Sequence, residues 1–393
     1  MEKRSYKKTG EAVSLLGFGM MRLPVLEAGK PDINYDLGQK MVDYAVAHGV
    51  NYFDTAYPYH EGKSEPFTGH ALSKYKRDSF FLASKMPTWE LKDRDSAPRL
   101  LSTQLNRLRM DYIDFYLCHA LGSFEDYTAK YEKLGAINYL EEQKKKGIIR
   151  KLGFSFHGEV SDLEKLTERR EWDFVQIQAN YLDWDAQNAK RLYEITEEKN
   201  IPCIIMEPVR GGMLATLNEE SLAILKAAEP GQSAASWALR FAASLPNVFT
   251  VLSGMSTMEQ VEDNVKTLEG FKALTEGDYR TLQKALAVFL NTGSVPCTGC
   301  RYCMDCPSGV DIPGVFAVYN KCAAAHQIPV SFGDSETVRK SAAYFAAAYR
   351  EIPEKSRAHN CVTCNICMEH CPQGIKIPDQ MKSITRMARG LTA

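Results

Sequence analysis

The chain has 393 residues, 45% of them hydrophobic and 25% charged, with a formal net charge of −1. That balance leaves no long-range field to gather nucleic acid or an anionic membrane, and no uninterrupted apolar run approaches the ~20 residues of a membrane helix. At roughly 150 residues per domain, the length predicts one large domain and a smaller one.

The opening Met1-Glu2-Lys3-Arg4-Ser5-Tyr6-Lys7-Lys8 is charged and no apolar core follows it, so it does not read as a secretory signal. Eleven cysteines in such a chain point to reduced thiols or metal ligands in a cytoplasmic protein, not to a disulfide framework. Lys144-Lys145-Lys146 reads as the solvated end of a helix.

From residue 11 to about 270, short β-rich runs alternate with longer amphipathic stretches. Eight runs read as strands: 14–19, 51–55, 80–85, 113–119, 151–156, 174–180, 201–207 and 249–254. Most are apolar with little in–out alternation, as in a parallel sheet covered on both faces. Helical spacing fills the intervals, at 36–48, 98–110, 160–170, 186–200, 233–244 and 258–268. Repeated strand–helix alternation predicts an α/β fold, a (β/α)8 TIM barrel. An open doubly wound sheet is the alternative, disfavoured because no G-x-G-x-x-G follows the first strand. A polar helix at 276–290 then leads to Asn291-Thr292-Gly293-Ser294, which predicts a barrel over 1–290 and a small, mainly helical domain over 291–393.

The second domain carries two cysteine runs. Cys361, Cys364, Cys367 and Cys371-Pro372 follow C-x2-C-x2-C-x3-C-P, the bacterial ferredoxin spacing, in which three thiolates of one loop reach one cube and the fourth reaches another. Cys297, Cys300, Cys303 and Cys306-Pro307 repeat the pattern with two residues, not three, before the last cysteine. Two [4Fe–4S] clusters are therefore expected, with Cys371 joining the first run and Cys306 the second if the ligands cross over. A pair of zinc sites is the alternative, opposed by two quartets that both end in Cys-Pro. Cys118, Cys203 and Cys322 are isolated and read as core residues.

Four polar residues lie at or just past predicted strand ends, where a barrel carries its active site: Asp54, Tyr59 five positions later, Lys85 and His119. Together with Leu16-Gly17-Phe18-Gly19, Asp54-Thr55-Ala56, Gly153-Phe154-Ser155 and Val175-Gln176-Ile177, they resemble the aldo-keto reductase family over about residues 5–270. The fused cysteine domain resembles its iron–sulfur members. The resemblance implies a catalytic tetrad. Tyr59 would protonate a carbonyl oxygen, and Lys85 would supply a charge that favours the phenolate. Asp54 would hold Lys85, and His119 would orient the oxygen.

It also implies a nicotinamide, NAD(P)H, held by Ser155, Gln176, Met206, Arg210, Gly254, Ser256, Gln260 and Asn264. Three positions depart from the family pattern. Met206 stands where an aromatic ring usually covers the nicotinamide. Gly254 and Gln260 stand where basic residues hold the 2′-phosphate of NADP, which leaves Arg210 to compensate and makes NAD at least as suitable. Hydride moves as two electrons and each cluster passes one, so a flavin is the natural converter, although no motif identifies a flavin site.

The expected function is an oxidoreductase acting on a small-molecule carbonyl, with clusters relaying electrons from a ferredoxin or flavodoxin donor. One rival is a flavin- or ferredoxin-dependent reductase without nicotinamide, and the other an electron carrier or redox sensor on a retained barrel. Trp89, Tyr181 and Trp184 are candidate pocket aromatics.

Overall fold

The computed structural model describes residues 1–186, 188–290, 293–329 and 336–390. Asn291 and Thr292 of the expected boundary, and Gln187 of the expected 186–200 helix, lie outside them. The chain divides into two compact units, one comprising 1–209 and 235–275, the other 210–234 and 276–393.

The first unit is a closed parallel barrel. A hairpin, β1 (Lys3–Ser5) and β2 (Ala12–Ser14), precedes eight strands. These are β3 (Leu16–Gly19), β4 (Tyr52–Asp54), β5 (Phe81–Pro87), β6 (Ile113–Leu121), β7 (Ile149–Phe156), β8 (Phe174–Gln178), β9 (Cys203–Met206) and β10 (Val248–Gly254). They follow one another around the barrel, and β10 closes on β3 by pairing Val251 with Leu16 and Gly254 with Gly19. All eight expected strands form, and the fold is the (β/α)8 barrel. The near-continuous burial of β3, β6 and β8 explains the missing alternation: side chains on one face fill the barrel, and those on the other meet helices.

The two barrel ends differ. At the N-terminal end the hairpin brings Tyr6 against Phe115 and Phe249 at ring distances of 5.7 and 5.3 Å, within a cluster that includes Tyr52 and Phe174. The Tyr6 hydroxyl donates to the Asp173 carbonyl at 2.6 Å. This end is plugged by aromatics, which leaves polar chemistry to the other. Tight packing of β7 on β8 needs Gly153, where a Cβ would lie 2.4 Å from the Phe174 oxygen. Lys144 is not merely solvated, since it pairs with Asp173.

The second unit is mainly helical. Helix Glu219–Ala228 packs on helix Glu276–Leu290, and the Ser221 hydroxyl donates to the Ala285 carbonyl at 2.9 Å. Contacts of this kind group 276–290 with the second unit. Helices Ile312–Ala324, Glu336–Arg350 and Ile377–Gly390 enclose a small core of Val310, Ile312, Phe316, Phe345, Ile375 and Ile377. Cys322 is buried in that core, as Cys118 and Cys203 are in the barrel.

Candidate active site and cluster recesses

Asp54 is the last residue of β4, while Lys85 and His119 sit within the C-terminal parts of β5 and β6. Parallel in-register pairing sets Asp54 beside Ala83, two residues before Lys85. The Lys85 ammonium donates to Asp54 Oδ1 at 2.6 Å and to the Thr55 carbonyl at 2.8 Å. Both partners of the ion pair are almost fully buried. Tyr59 opens a short 3-10 turn, Tyr59–Gly62, and presents its ring 4.8 Å from the Lys85 ammonium. The His119 ring centroid lies 6.0 Å from that of Tyr59. The four side chains that the sequence singled out therefore meet at one place.

Burial dominates the electrostatics. It lowers the Lys85 ammonium from its ordinary value and raises the Asp54 carboxyl, and in each case the partner's charge and hydrogen bond oppose the shift. His119 is pushed well below the usual imidazole range by burial, then by the Lys85 charge and by His157. It is a neutral imidazole at pH 7. Its Nδ1 and the Asp54 Oδ2 are buried without a hydrogen-bond partner among the described residues. Behind Lys85, Glu65 accepts from Ser84 at 2.7 Å and from Gln104 at 2.6 Å, and Gln104 also donates to the Lys85 carbonyl. Sequence reading missed this network, because nothing in the local pattern around Glu65 or Gln104 sets them apart from helix-face residues.

The expected cofactor residues fall into two groups in the barrel. Gln176 donates to the Met206 sulfur at 3.2 Å, while its Oε1 is buried with no partner among the described residues. An amide oxygen left over on β8 suits the carboxamide of a nicotinamide. Ser155 Oγ accepts from the Ala120 N–H at 2.8 Å, and Ala120 is left-handed at φ 52°, at a register shift in the β6–β7 pairing. At the start of helix Met258–Glu269, the Gln260 side chain accepts from the Ser256 N–H at 2.7 Å and Asn264 donates to Ser253 at 2.9 Å. Gly254 leaves room for Arg22, whose Cβ and Cγ lie 3.1 Å from where a glycine Cβ would stand. Arg22 also pairs with Glu207 at 3.7 Å. It is a basic residue beside this group that sequence reading passed over, since it lies more than 230 positions away.

Arg210 is placed apart from these two groups. It belongs to the second unit, is only 1% exposed and donates to Gln373 at 3.1 Å. Trp89 is 40% exposed with its ring 5.2 Å from that of His119, whereas Trp184 and Tyr181 pack on Phe241.

In the second unit the eight expected thiols ring two recesses. Cys297, Cys300, Cys303 and Cys371 line one of about 300 Å³, counted with the solvent at its mouth. Cys306, Cys361, Cys364 and Cys367 line another of about 420 Å³, to which Cys303 also contributes. Each recess thus gathers three thiols of one run and the terminal thiol of the other, despite the short gap before Cys306. The loops also match in backbone: Gly299 and Arg301 in one, Thr363 and Asn365 in the other, are left-handed at φ 60–66°. Alternating left-handed residues turn successive N–H groups inward toward an anionic core, and Gly299 N–H already points at Cys297 Sγ, 3.4 Å away. The residues present fit a thiolate-bound cluster.

A repeat unnoticed in the sequence lies behind this symmetry: Cys306-Pro-Ser-Gly-Val-Asp-Ile-Pro313 and Cys371-Pro-Gln-Gly-Ile-Lys-Ile-Pro378. In both, the glycine N–H donates to the cysteine carbonyl, at 2.9 and 3.1 Å. Ile312 and Ile377 line both recesses and separate them by apolar side chains.

Residues 15–287 match the model of the aldo/keto reductase family. The chain belongs to that family. Residues 296–376 match a 4Fe-4S dicluster domain, so this aldo/keto reductase is an oxidoreductase carrying an iron–sulfur domain. It is 25% identical over 312 residues to the uncharacterized oxidoreductase YqkF of Bacillus subtilis, covering 72% of this chain and 96% of that protein. It is 26% identical to the NADH-specific methylglyoxal reductase of Escherichia coli, covering 68% and 94%. The holo form of the aldo-keto reductase AKR11C1 from Bacillus halodurans superposes with a TM-score of 0.60 at 25% identity, covering 72% and 96%. Among the described residues no helix is long and apolar enough to cross a membrane.

Proposed function

We propose that this aldo/keto reductase converts the carbonyl group of a small molecule to the alcohol, or the reverse, with NAD(P)H. Tyr59 gives a proton to the carbonyl oxygen, and two [4Fe–4S] clusters, outside the hydride step, exchange single electrons with a ferredoxin or flavodoxin. The observation that carries the reading is the buried Lys85–Asp54 pair at 2.6 Å beneath the Tyr59 ring. A reduced nicotinamide, when bound, supplies the hydride that reaches the carbonyl carbon. Negative charge then builds on the oxygen, and Tyr59 neutralises it by proton transfer. The Lys85 cation stabilises the tyrosinate left behind. Neutral His119 can donate a hydrogen bond to the same oxygen without competing for the proton.

Gln176, Ser155 and Met206 would hold the nicotinamide end, and Gly254, Ser256, Gln260 and Asn264 the phosphate end. Because Gln260 spends its side chain on the Ser256 N–H, this reading favours NAD over NADP. It accords with the cofactor named for the Escherichia coli relative. Cys297, Cys300, Cys303 and Cys371 would hold one cluster, and Cys306, Cys361, Cys364 and Cys367 the other.

Anaerobic purification followed by mass spectrometry of released small molecules, with NADH oxidation measured against carbonyl reduced, tests the reading. One NADH oxidised per alcohol formed supports it. Release of a flavin, or turnover with reduced ferredoxin but with neither NADH nor NADPH, overturns it in favour of a nicotinamide-free reductase.

A further inference from the structure

We infer that Arg210 is a positioning residue of the cluster held by Cys297, Cys300, Cys303 and Cys371, where its fixed positive charge raises that cluster's reduction potential above the other's. The inference rests on the ligand assignment proposed above.

Two observations carry it. First, the guanidinium is buried and donates to Gln373 at 3.1 Å, and Gln373 lines the recess together with Cys297 and Cys371. Second, the residue after it is pressed against the first cysteine loop. Gly211 is left-handed at φ 65°, and a Cβ there would fall 2.0 Å from the Thr298 carbonyl oxygen. Thr298 is the neighbour of Cys297 and lines this recess, so the Arg210–Gly211 backbone abuts the loop that carries Cys297, and no larger residue would fit at 211.

The lining of the other recess includes Asp305, and its Cys364 is exposed. A cluster with four thiolates gains negative charge on reduction. A buried cation held against the lining of its recess stabilises the reduced form more than the oxidised one, through low-dielectric surroundings that screen it weakly. An electron shared between the clusters then settles on the one beside Arg210.

The test is an anaerobic redox titration of the full-length, cluster-loaded protein, followed by electron paramagnetic resonance. Cys300→Ser and Cys364→Ser are used first to assign each signal to its recess. Arg210→Gln should lower the potential of the Cys297-side cluster alone. At the native midpoint the reduced-to-oxidised ratio should fall about tenfold, equivalent to about 59 mV for a one-electron couple. Arg210→Lys should restore most of the shift. Unchanged potentials in Arg210→Gln, or an equal shift in both clusters, would overturn the inference.

If Arg210→Gln does not assemble its clusters, Gln373→Glu decides, because a carboxylate there offsets the guanidinium. A lowered potential on the Cys297 side supports the inference and an unchanged one refutes it. Failure of the ligand assignment looks different: Cys300→Ser and Cys371→Ser would then perturb different clusters.

Discussion

The barrel and the C-terminal unit hold their chemistry in opposite ways. In the barrel, protein groups already fix the reactive side chains: Lys85 is held by Asp54 and the Thr55 carbonyl, and His119 is seated among buried neighbours. In the C-terminal unit, eight thiols face two recesses, and the apolar core around them is small. A barrel of parallel strands can close on its own side chains. A short helical unit built around recesses is expected to need its inorganic cores to complete the packing, which would couple folding to cluster binding there.

Removing iron should break this contrast most visibly. Anaerobic chelation is expected to abolish hydrogen-exchange protection in helices Ile312–Ala324 and Ile377–Gly390 while leaving β3–β10 protected. Equal protection in both regions with and without iron would show that the C-terminal unit is self-supporting.

Tyr59→Phe attacks the other side of the comparison. Loss of the proton donor should cut carbonyl turnover by on the order of 10²–10⁴-fold, with iron content and cofactor binding unchanged. Undiminished turnover would remove Tyr59 from the chemistry.

A smaller effect should follow from Lys85→Met, which leaves the Asp54 carboxylate buried and alone. Breaking a buried pair in this way costs about 3–5 kcal/mol, read from urea midpoints. The double variant with Asp54→Asn should recover much of that, and a single variant as stable as the native protein would mean that the pair is poorly formed.

The smallest expected effect is on pH dependence. His119 and His157 both titrate below the ordinary 6.5 in the folded chain, His157 at about 4, with burial the leading cause. Between those limits the unfolded chain binds protons that the folded chain refuses. Stability therefore falls as pH drops below about 6.5, and the His157 contribution is complete near 4. His157→Gln should flatten the decline in urea midpoint between pH 7 and 5. An unaltered slope would locate the acid sensitivity elsewhere.

Local pattern made much of this protein legible. Apolar runs without alternation announced covered parallel strands, and the intervals between them announced the helices. Asp54, Lys85 and His119 stood out because polar residues interrupt apolar strands only at some cost in burial. Cysteine spacing alone identified the two runs. What pattern missed were partners distant in the chain: Gln104 and Glu65 behind Lys85, and Arg22 beside Gly254. The Cys-Pro-x-Gly repeat was local, but it becomes recognisable as a unit only once both copies form the same turn.

The sequence by itself determined the barrel and the two thiol-rich loops, because each follows from periodicity or spacing within a short stretch; it singled out the four polar side chains at one end through their resemblance to the aldo-keto reductase family. Tertiary structure decided which thiols share a recess, since that depends on how one loop meets another. It likewise decided the role open to Arg210. In the chain this residue follows a barrel strand and resembles a phosphate ligand; in the fold its guanidinium is buried against Gln373 beside the first cysteine loop. A charge acts through distance in space, and the order of residues along the chain does not record that distance.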